Sequence, residues 1–332
     1  MLSVIIPTRN RAALLRKALE SFRHQTLPAD AFELIVVDNG STDETAVVCR
    51  EAQDWFNSFV YDFAPMPGLH VGRHRGLKLS RGDILVYGDD DIRAAPTWLA
   101  AIHEAFDRPE VGLVGGKCLP DYEVPPPAWE QGLWNVLPEG RLNTFYSLVD
   151  LGDKGGEIPA HYVFGCNFSI RKSLLLKAGG FHPDGMPQDL LQYRGDGETA
   201  VSLAVEALGY RAWYSPEAAV YHHVSARRMT PAYIGARAFS QGVSDSYTRL
   251  RAKRGGGALE SWLFHVIKSK AYAAFLSESL LRVRKVDYHA GFAWHSRQIM
   301  QSAELRDWVV KVSYLDEDQQ LYWCGLSIGS DS

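Results

Sequence analysis

The sequence predicts an α/β fold, a mostly parallel sheet with helices on both faces, followed by a helical C-terminal extension. Three observations carry this expectation. Apolar runs of strand length recur at 2–6 (LSVII), 33–37 (ELIVV) and 83–88 (DILVYG), with helix-spaced stretches between them. Each run leads directly into a polar cluster: Pro7–Asn10, Asp38–Asn39 and Asp89–Asp91. From about residue 230 the strand signals stop and helical periodicity continues.

The elements follow in order. After the first strand, PTRNR turns the chain, and residues 12–25 carry Leu14, Leu15, Ala18, Leu19 and Phe22 on one helical face. After the second strand, NGSTDE reads as a turn and a helix start, with Ser41 or Thr42 as cap. Residues 58–62 form a third strand, and PGLHVGRHRGLKLSRG is a loop leading into a short helix before strand 83–88. Residues 118–160 read as irregular. EVPPPAWEQG (123–132) is too proline-rich for a helix or central strand, so a loop over the site is expected there. A strand at 163–170, helices at 172–178 and 197–208, and short strands at 210–214 and 218–222 complete the α/β part. Helices are expected at 231–252, 258–284 and roughly 289–312, with RGGG (254–257) as a hinge.

The 332 residues are 46% hydrophobic with a formal charge of −4, ordinary for a globular chain. That balance argues against a nucleic-acid partner, because phosphate backbones require a basic surface. Nine Trp and fifteen Tyr suit either an aromatic core or a protein that stacks on sugar rings. Cys49, Cys118, Cys166 and Cys324 show no metal-ligand spacing and read as buried free thiols in a reducing compartment. The N-terminus lacks the apolar run of a signal peptide, and no apolar stretch reaches membrane-spanning length. A cytoplasmic protein is expected, with surface attachment at the inner face of a membrane left open.

In a sheet of this type, ligands bind beyond the carboxyl ends of the strands. The three polar clusters should therefore converge on one edge. The adjacent acids Asp89, Asp90 and Asp91 are either a solvated loop capping the next helix or the ligands of a divalent metal, since carboxylates suit Mg²⁺ or Mn²⁺ and a cation relieves their repulsion.

Five stretches, SVIIPTRNR, LIVVDNGSTDET, GLHVGRHRGLKLSRGDILVYGDDDI, GCNFSIRKSLLLKAGGF and GDGETAVSLAVEALGYRAWYSPEAAVYHH, occur in the order and spacing of family 2 glycosyltransferases. The resemblance covers about residues 2–225 and implies the GT-A fold, in which a Rossmann-like sheet binds a nucleotide-diphospho-sugar. It implies that Pro7, Thr8 and Arg9 line the nucleotide pocket. Asp38 falls on the family's base-reading Asp, which gives a lean to uridine; its other role is to cap the following turn. Arg73 falls on an Arg near the nucleotide and phosphates, and His74 stands where the family usually has Asn. Asp89 would face the ribose and the metal, and Asp91 the metal and diphosphate. Asp90 either stabilises the turn or shares the metal shell.

Alignment back from GYRAW puts Glu198 on the family's general base, with Asp196 the rival. The base deprotonates an acceptor hydroxyl in a single in-line displacement. His222 is a candidate third metal ligand, and Arg227 and Arg228 are candidates to meet phosphates. Asn167 and Trp129 are candidates for the acceptor side, with packing the other reading of Trp129.

Together these readings predict a metal-dependent inverting glycosyltransferase that uses Mn²⁺ or Mg²⁺. Its expected donor is a nucleotide-diphospho-sugar, UDP favoured, and its acceptor a glycan, lipid-linked glycan or polysaccharide. A sugar-phosphate nucleotidyltransferase is the second enzyme reading, opposed by the lack of Gly in PTRNRAALL. A non-catalytic glycan- or partner-binding protein on the same fold is the third. The expected division is a catalytic domain at 1–228, with nucleotide binding in 1–115 and the acceptor side in 116–228, and a helical region at 229–332. The apolar positions of the C-terminal helices suit packing, a homodimer face or contact with a membrane surface.

Overall fold

The structure, a computed structural model, describes residues 1–66 and 68–315. Cys324 lies outside the described residues. The α/β part runs β1 (Leu2–Thr8), α1 (Ala12–Phe22), β2 (Phe32–Asp38), α2 (Thr45–Ala52), β3 (Phe59–Phe63), α3 (Leu69–Leu79), β4 (Ile84–Gly88), β5 (Ile92–Ala94), α4 (Trp98–Ala105) and β6 (Val111–Tyr122). It continues through β7 (Asn135–Leu137), β8 (Gly140–Asn143), β9 (Leu148–Asp150), β10 (Gly156–Ile158), β11 (Asn167–Arg171), α5 (Lys172–Lys177), α6 (Glu198–Ala207) and β12 (Arg211–Val224). Four helices follow: α7 (Pro231–Ala252), α8 (Ala258–Phe275), α9 (Leu280–Gln301) and α10 (Ala303–Val310).

Strands are ordered β3-β2-β1-β4-β11-β6-β9-β8-β7. The β3, β2, β1 and β4 pairings are parallel, whereas β11 is antiparallel to both β4 and β6. Every residue of β1 and β2 is buried, as expected for central strands covered on both faces. Alternation then sorts their side chains. Val4, Ile6, Leu34, Val36 and Val86 join the core under α1 and α4, while Ile5, Ile35, Val37, Leu85 and Tyr87 join the core on the opposite face.

The α/β fold class and the helical extension are as expected. Three local readings are corrected. The segment 118–160 is not simply irregular: β6 runs on to Tyr122, and β7 to β10 extend the sheet, short strands whose exposed tips hid their alternation. The strands expected at 210–214 and 218–222 are one, β12, with a register shift between Ser215 and Val220 around Pro216, which has no N–H to donate. The helix expected at 258–284 ends at Phe275, and Ser279 caps α9 by accepting from the Arg282 N–H.

Helices α7 and α9 cross closely at Gly242 and Gly291. A Cβ on Gly242 would lie 2.0 Å from the Tyr288 carbonyl oxygen, and one on Gly291 2.0 Å from that of Phe239. A further core joins this helical layer to the α/β part through Tyr193, Tyr247, Ile299, Trp308 and Tyr314, with the Tyr247 and Tyr314 hydroxyls 2.7 Å apart.

Candidate active site

The C-terminal ends of β1 and β4 and the end of β12 open into one cleft of about 670 Å³. Pro7, Thr8 and Arg9 line it at the end of β1, Asn39 after β2, and Asp89, Asp90 and Asp91 after β4. His222, Arg227 and Arg228 close it from β12 and the turn that follows, and Ser147 from the segment between β8 and β9. The convergence expected from the three polar clusters is therefore realised. The cleft is not roofed by 123–132. From the 143–148 turn, Ser147 alone lines it.

The three acids are held by different partners. Asp90 is 4% exposed; it accepts from the Thr8 hydroxyl at 2.7 Å and from Arg11 at 2.9 Å. Burial pushes its carboxyl up to about 7, against the pull of Arg11. These bonds make it the brace between the ends of β1 and β4. Asp91, 8% exposed, accepts from Arg11 at 3.0 Å, and its other oxygen lies 3.2 Å from His222 Nε2. Burial alone would raise Asp91, but His222, Arg11 and Arg228 hold it well below the usual carboxylate range. Asp89 is raised by burial and by Asp91.

A divalent cation fits this cluster on two observations. Ligand atoms of Asp89, Asp91 and His222 all lie within 4.8 Å of one another. In addition, His222 Nδ1 is 2.7 Å from the Tyr146 carbonyl oxygen, an acceptor that requires the proton on Nδ1. In the neutral ring this leaves the Nε2 lone pair facing Asp91 Oδ1, a buried oxygen without a well-aligned hydrogen bond. A metal ion or a proton between the two relieves this contact, with Arg228 Nη1 also 3.4 Å from His222 Nε2, and a backbone carbonyl behind a histidine is the usual support of a metal ligand. With a proton there instead, burial lowers the His222 pKa but Asp91 more than offsets it, raising it to about 9.

Beneath the cleft lies Arg73 on α3, 3% exposed, with its guanidinium 5.0 Å from the Phe181 ring centre. Its Nη1 is 3.4 Å from Glu198 Oε2, while Glu198 Oε1 accepts from the Gly165 N–H at 3.1 Å. Any side chain at Gly165 would collide with this pair, since its Cβ would lie 2.3 Å from Arg73 Nη2. Burial opposes the Arg73 charge, but Glu198, Asp89 and Asp184 raise its pKa above the ordinary value. Arg73 thus ties the metal-type cluster to the start of α6.

Glu198 and Asp196 line a second cleft of about 390 Å³, with Asp184, Arg194, Arg237 and Thr248. Both Asp196 oxygens are taken, by His182 Nδ1 at 2.6 Å and the Thr248 hydroxyl at 2.7 Å. Glu198 keeps 24% of its side chain exposed.

Other expected residues fall elsewhere. The Asp38 carboxylate, 1% exposed, accepts from the Ser41 N–H at 2.7 Å and the Tyr61 hydroxyl at 2.9 Å, so it caps the turn while its neighbour Asn39 faces the cleft. The side chain of Asn167, 1% exposed, accepts from Trp98 Nε1 and donates to the Ala218 carbonyl. Trp129 packs against the small core of Leu133, Tyr146 and Val224. Neither lines the two clefts. His74 is fully buried and accepts the Phe181 N–H at 2.8 Å, a fold contact. Sequence reasoning missed Arg11, the cation shared by Asp90 and Asp91. Its position three residues after the strand was the available signal. Cys49, Cys118 and Cys166 are buried free thiols, as expected.

A mixed sheet with acids and basic side chains gathered at the carboxyl ends of its strands defines a ligand-binding α/β protein. The chain belongs to the family described as Glycosyl transferase family 2, whose sequence model matches residues 3–178. A glucosyl-dolichyl phosphate glucuronosyltransferase of Haloferax volcanii is 26% identical over 73% of this chain and 75% of its own length. A validoxylamine A glucosyltransferase of Streptomyces hygroscopicus subsp. jinggangensis is 34% identical over 55% of this chain. The chain spans only 47% of that relative, and 25% of the uncharacterized protein y4gI of Sinorhizobium fredii, to which it is 29% identical over 69% of its own length. Among solved structures, the mannosyltransferase PcManGT of Pyrobaculum calidifontis, in complex with GDP-Man and Mn²⁺, shares the fold with a TM-score of 0.54 at 20% identity, over 95% of this chain and 84% of that one. The chain is thus a member of this family, with a GT-A fold and a C-terminal helical region.

Proposed function

We propose that this chain is a metal-dependent inverting glycosyltransferase. It moves a hexosyl group from a nucleoside diphosphate donor, UDP favoured, to a hydroxyl of a glycan, polysaccharide or lipid-linked acceptor. The observation that carries the reading is the gathering of ligand atoms of Asp89, Asp91 and His222 within 4.8 Å of one another, linked through Arg73 to Glu198 in the second cleft. Asp89, Asp91 and His222 would hold Mn²⁺ or Mg²⁺, and a divalent cation there neutralises charge on a leaving diphosphate. PcManGT is described in complex with Mn²⁺, which supports a divalent ion in the fold.

Pro7, Thr8 and Arg9 border the nucleoside. Asn39, which lines the cleft where the capped Asp38 does not, offers its amide to the edge of the base; an amide suits uracil and guanine alike, so GDP-sugars belong in the donor panel. Arg228, steadied by the Tyr233 hydroxyl at 3.1 Å from its Nε and by the His223 carbonyl, meets the diphosphate together with Arg227. Glu198 takes the proton of the acceptor hydroxyl as that oxygen attacks the anomeric carbon, and the bond from that carbon to the diphosphate breaks with its electron pair leaving on the diphosphate. Asp196, held on both oxygens, positions the start of α6. The catalytic unit is residues 1–228, and the helical region from 229 completes the acceptor side.

A peripheral contact with an anionic membrane is part of the reading. No helix among the described residues is long and apolar enough to cross a membrane. However, α8 exposes Leu259, Leu263, Phe264, Ile267 and Phe275. The surrounding stretch 249–285 carries nine Lys and Arg against Glu260 and Glu278, in a chain that is acidic overall. Apolar side chains amid positive charge fit an anionic bilayer surface better than a second copy of the same basic face.

The test is a panel of UDP- and GDP-sugars with Mn²⁺, Mg²⁺ or chelator, following nucleotide release and product anomeric configuration. Transfer with inversion is expected only with a divalent ion. Glu198→Gln should bind donor normally and lose roughly 10²–10⁴ in kcat. Failure of every donor to be bound or turned over defeats the proposal.

A further inference from the structure

Beside the second cleft lies a separate cavity of about 250 Å³ between α7, α9 and the 144–145 turn. Arg237, Arg284 and Lys285 line it, with Phe145, Gln241 and Tyr288 as its other walls. Among the described residues, none of these three cations has a carboxylate within ion-pair distance. Arg284 rests over the Phe145 ring at 4.8 Å, a contact that leaves its N–H fork free to turn to a ligand. The acid nearest in the hydrogen-bond network, Asp245, is engaged by Gln241 at 2.8 Å and by the Tyr288 hydroxyl at 2.7 Å, so it holds two walls of the cavity.

Lys285 is exposed, but Arg237 and Arg284 are partly buried and carry a desolvation cost. Burial, and Arg194 beside it, lower the Arg237 pKa below the ordinary value; burial alone does so for Arg284. Asp184 offsets part of the Arg237 charge from the side of the Glu198 cleft, whereas Arg284 and Lys285 lack a counter-charge among the described residues. An anion entering the cavity would supply it, and paired guanidinium groups with an ammonium match the charge and oxygen geometry of a phosphate ester better than a lone carboxylate.

The position of Arg237 gives the cavity its meaning. Arg237 and Gln241 also line the cleft that contains Glu198. A molecule could therefore present a hydroxyl to Glu198 and an anionic group to the far side of Arg237. We propose that this cavity is an acceptor subsite that binds a phosphate group carried by the acceptor away from the hydroxyl that receives the sugar. The idea rests on the glycosyl-transfer reading, since it assigns the acceptor's chemistry.

The experiment titrates glycerol 3-phosphate into wild type and the double variant Arg284→Gln/Lys285→Gln, with and without UDP and Mg²⁺, alongside the single Lys285→Gln as a control on folding. Binding to wild type is expected, weakened about tenfold or more in the double variant, as for loss of charge-assisted hydrogen bonds. UDP affinity should be unchanged. A second arm uses vesicles containing phosphatidic acid or, at equal surface charge, phosphatidylserine. Preference for phosphatidic acid in wild type but not in the double variant, without binding of the soluble ester, also supports the subsite and makes its phosphate that of a lipid. Equal binding by wild type and variant in both arms, or binding in neither, overturns the subsite. Failure of UDP to bind wild type would instead strike the donor reading, and the phosphate titration without UDP reports independently of it.

Discussion

Replacing Arg11 with Met removes the one side chain among the described residues that bonds both Asp90 and Asp91. The two acids are 4% and 8% exposed and would face each other across the turn with less relief. Cutting one partner from a fully buried ion pair costs about 3–5 kcal/mol. The Arg11 side chain is 49% exposed, so water already screens it, and the expected loss is about 2 kcal/mol. A divalent cation should return much of this, because it binds the folded cluster and relieves the same repulsion. Binding at a hundredfold over its dissociation constant contributes about 2.7 kcal/mol. The assay is urea unfolding of wild type and Arg11→Met, each in chelator and in Mn²⁺. The variant should be less stable in chelator, and its gain from Mn²⁺ should exceed that of wild type. Adding Asp90→Asn to the variant should recover stability in chelator. Equal stability without metal, or the same Mn²⁺ increment in both proteins, would refute the account of the acid cluster.

Three further outcomes are expected. His295 is fully buried and burial lowers its pKa to about 4, so the fold binds it neutral; stability is complete above pH 6.5 and falls toward pH 4 by about 1.4 kcal/mol per pH unit, roughly 3 kcal/mol in all. Urea titrations of wild type and His295→Gln across that window should diverge, and parallel curves would count against it. Gly165→Ala should displace the Arg73–Glu198 pair, costing about 1–3 kcal/mol in overpacking and about a hundredfold in kcat while donor KM holds; unchanged turnover would show that the pair tolerates the shift. Leu263→Glu with Ile267→Glu replaces exposed side chains and should leave stability within about 0.5 kcal/mol while abolishing sedimentation with anionic vesicles; retained binding would exclude α8 as the contact.

Much of the architecture was legible because burial on both faces writes itself as continuous apolar runs. LSVII, ELIVV and ILVYG could be little else than central parallel strands, and their polar continuations had to meet at one edge. The family motifs then singled out Asp89, Asp91, His222 and Glu198, and all four line one of the two adjoining clefts. The strands β7 to β10 were not legible, because three- and four-residue segments with exposed positions carry too few alternations to rise above a loop.

Partnership was a different matter. Local order along the chain determined which side chains occupy the strand ends, since period and turn chemistry act over a few residues. Only the folded chain decided that Arg11 serves Asp90 and Asp91 some 80 positions away, that Asp38 caps its turn behind Asn39, that Asn167 is turned inward to Trp98, and that Arg237 walls both the Glu198 cleft and a cationic cavity. Hydrogen bonds and ion pairs reach only about 3–4 Å. Which groups come within that reach is set by how distant segments pack, and no spacing within one segment encodes it.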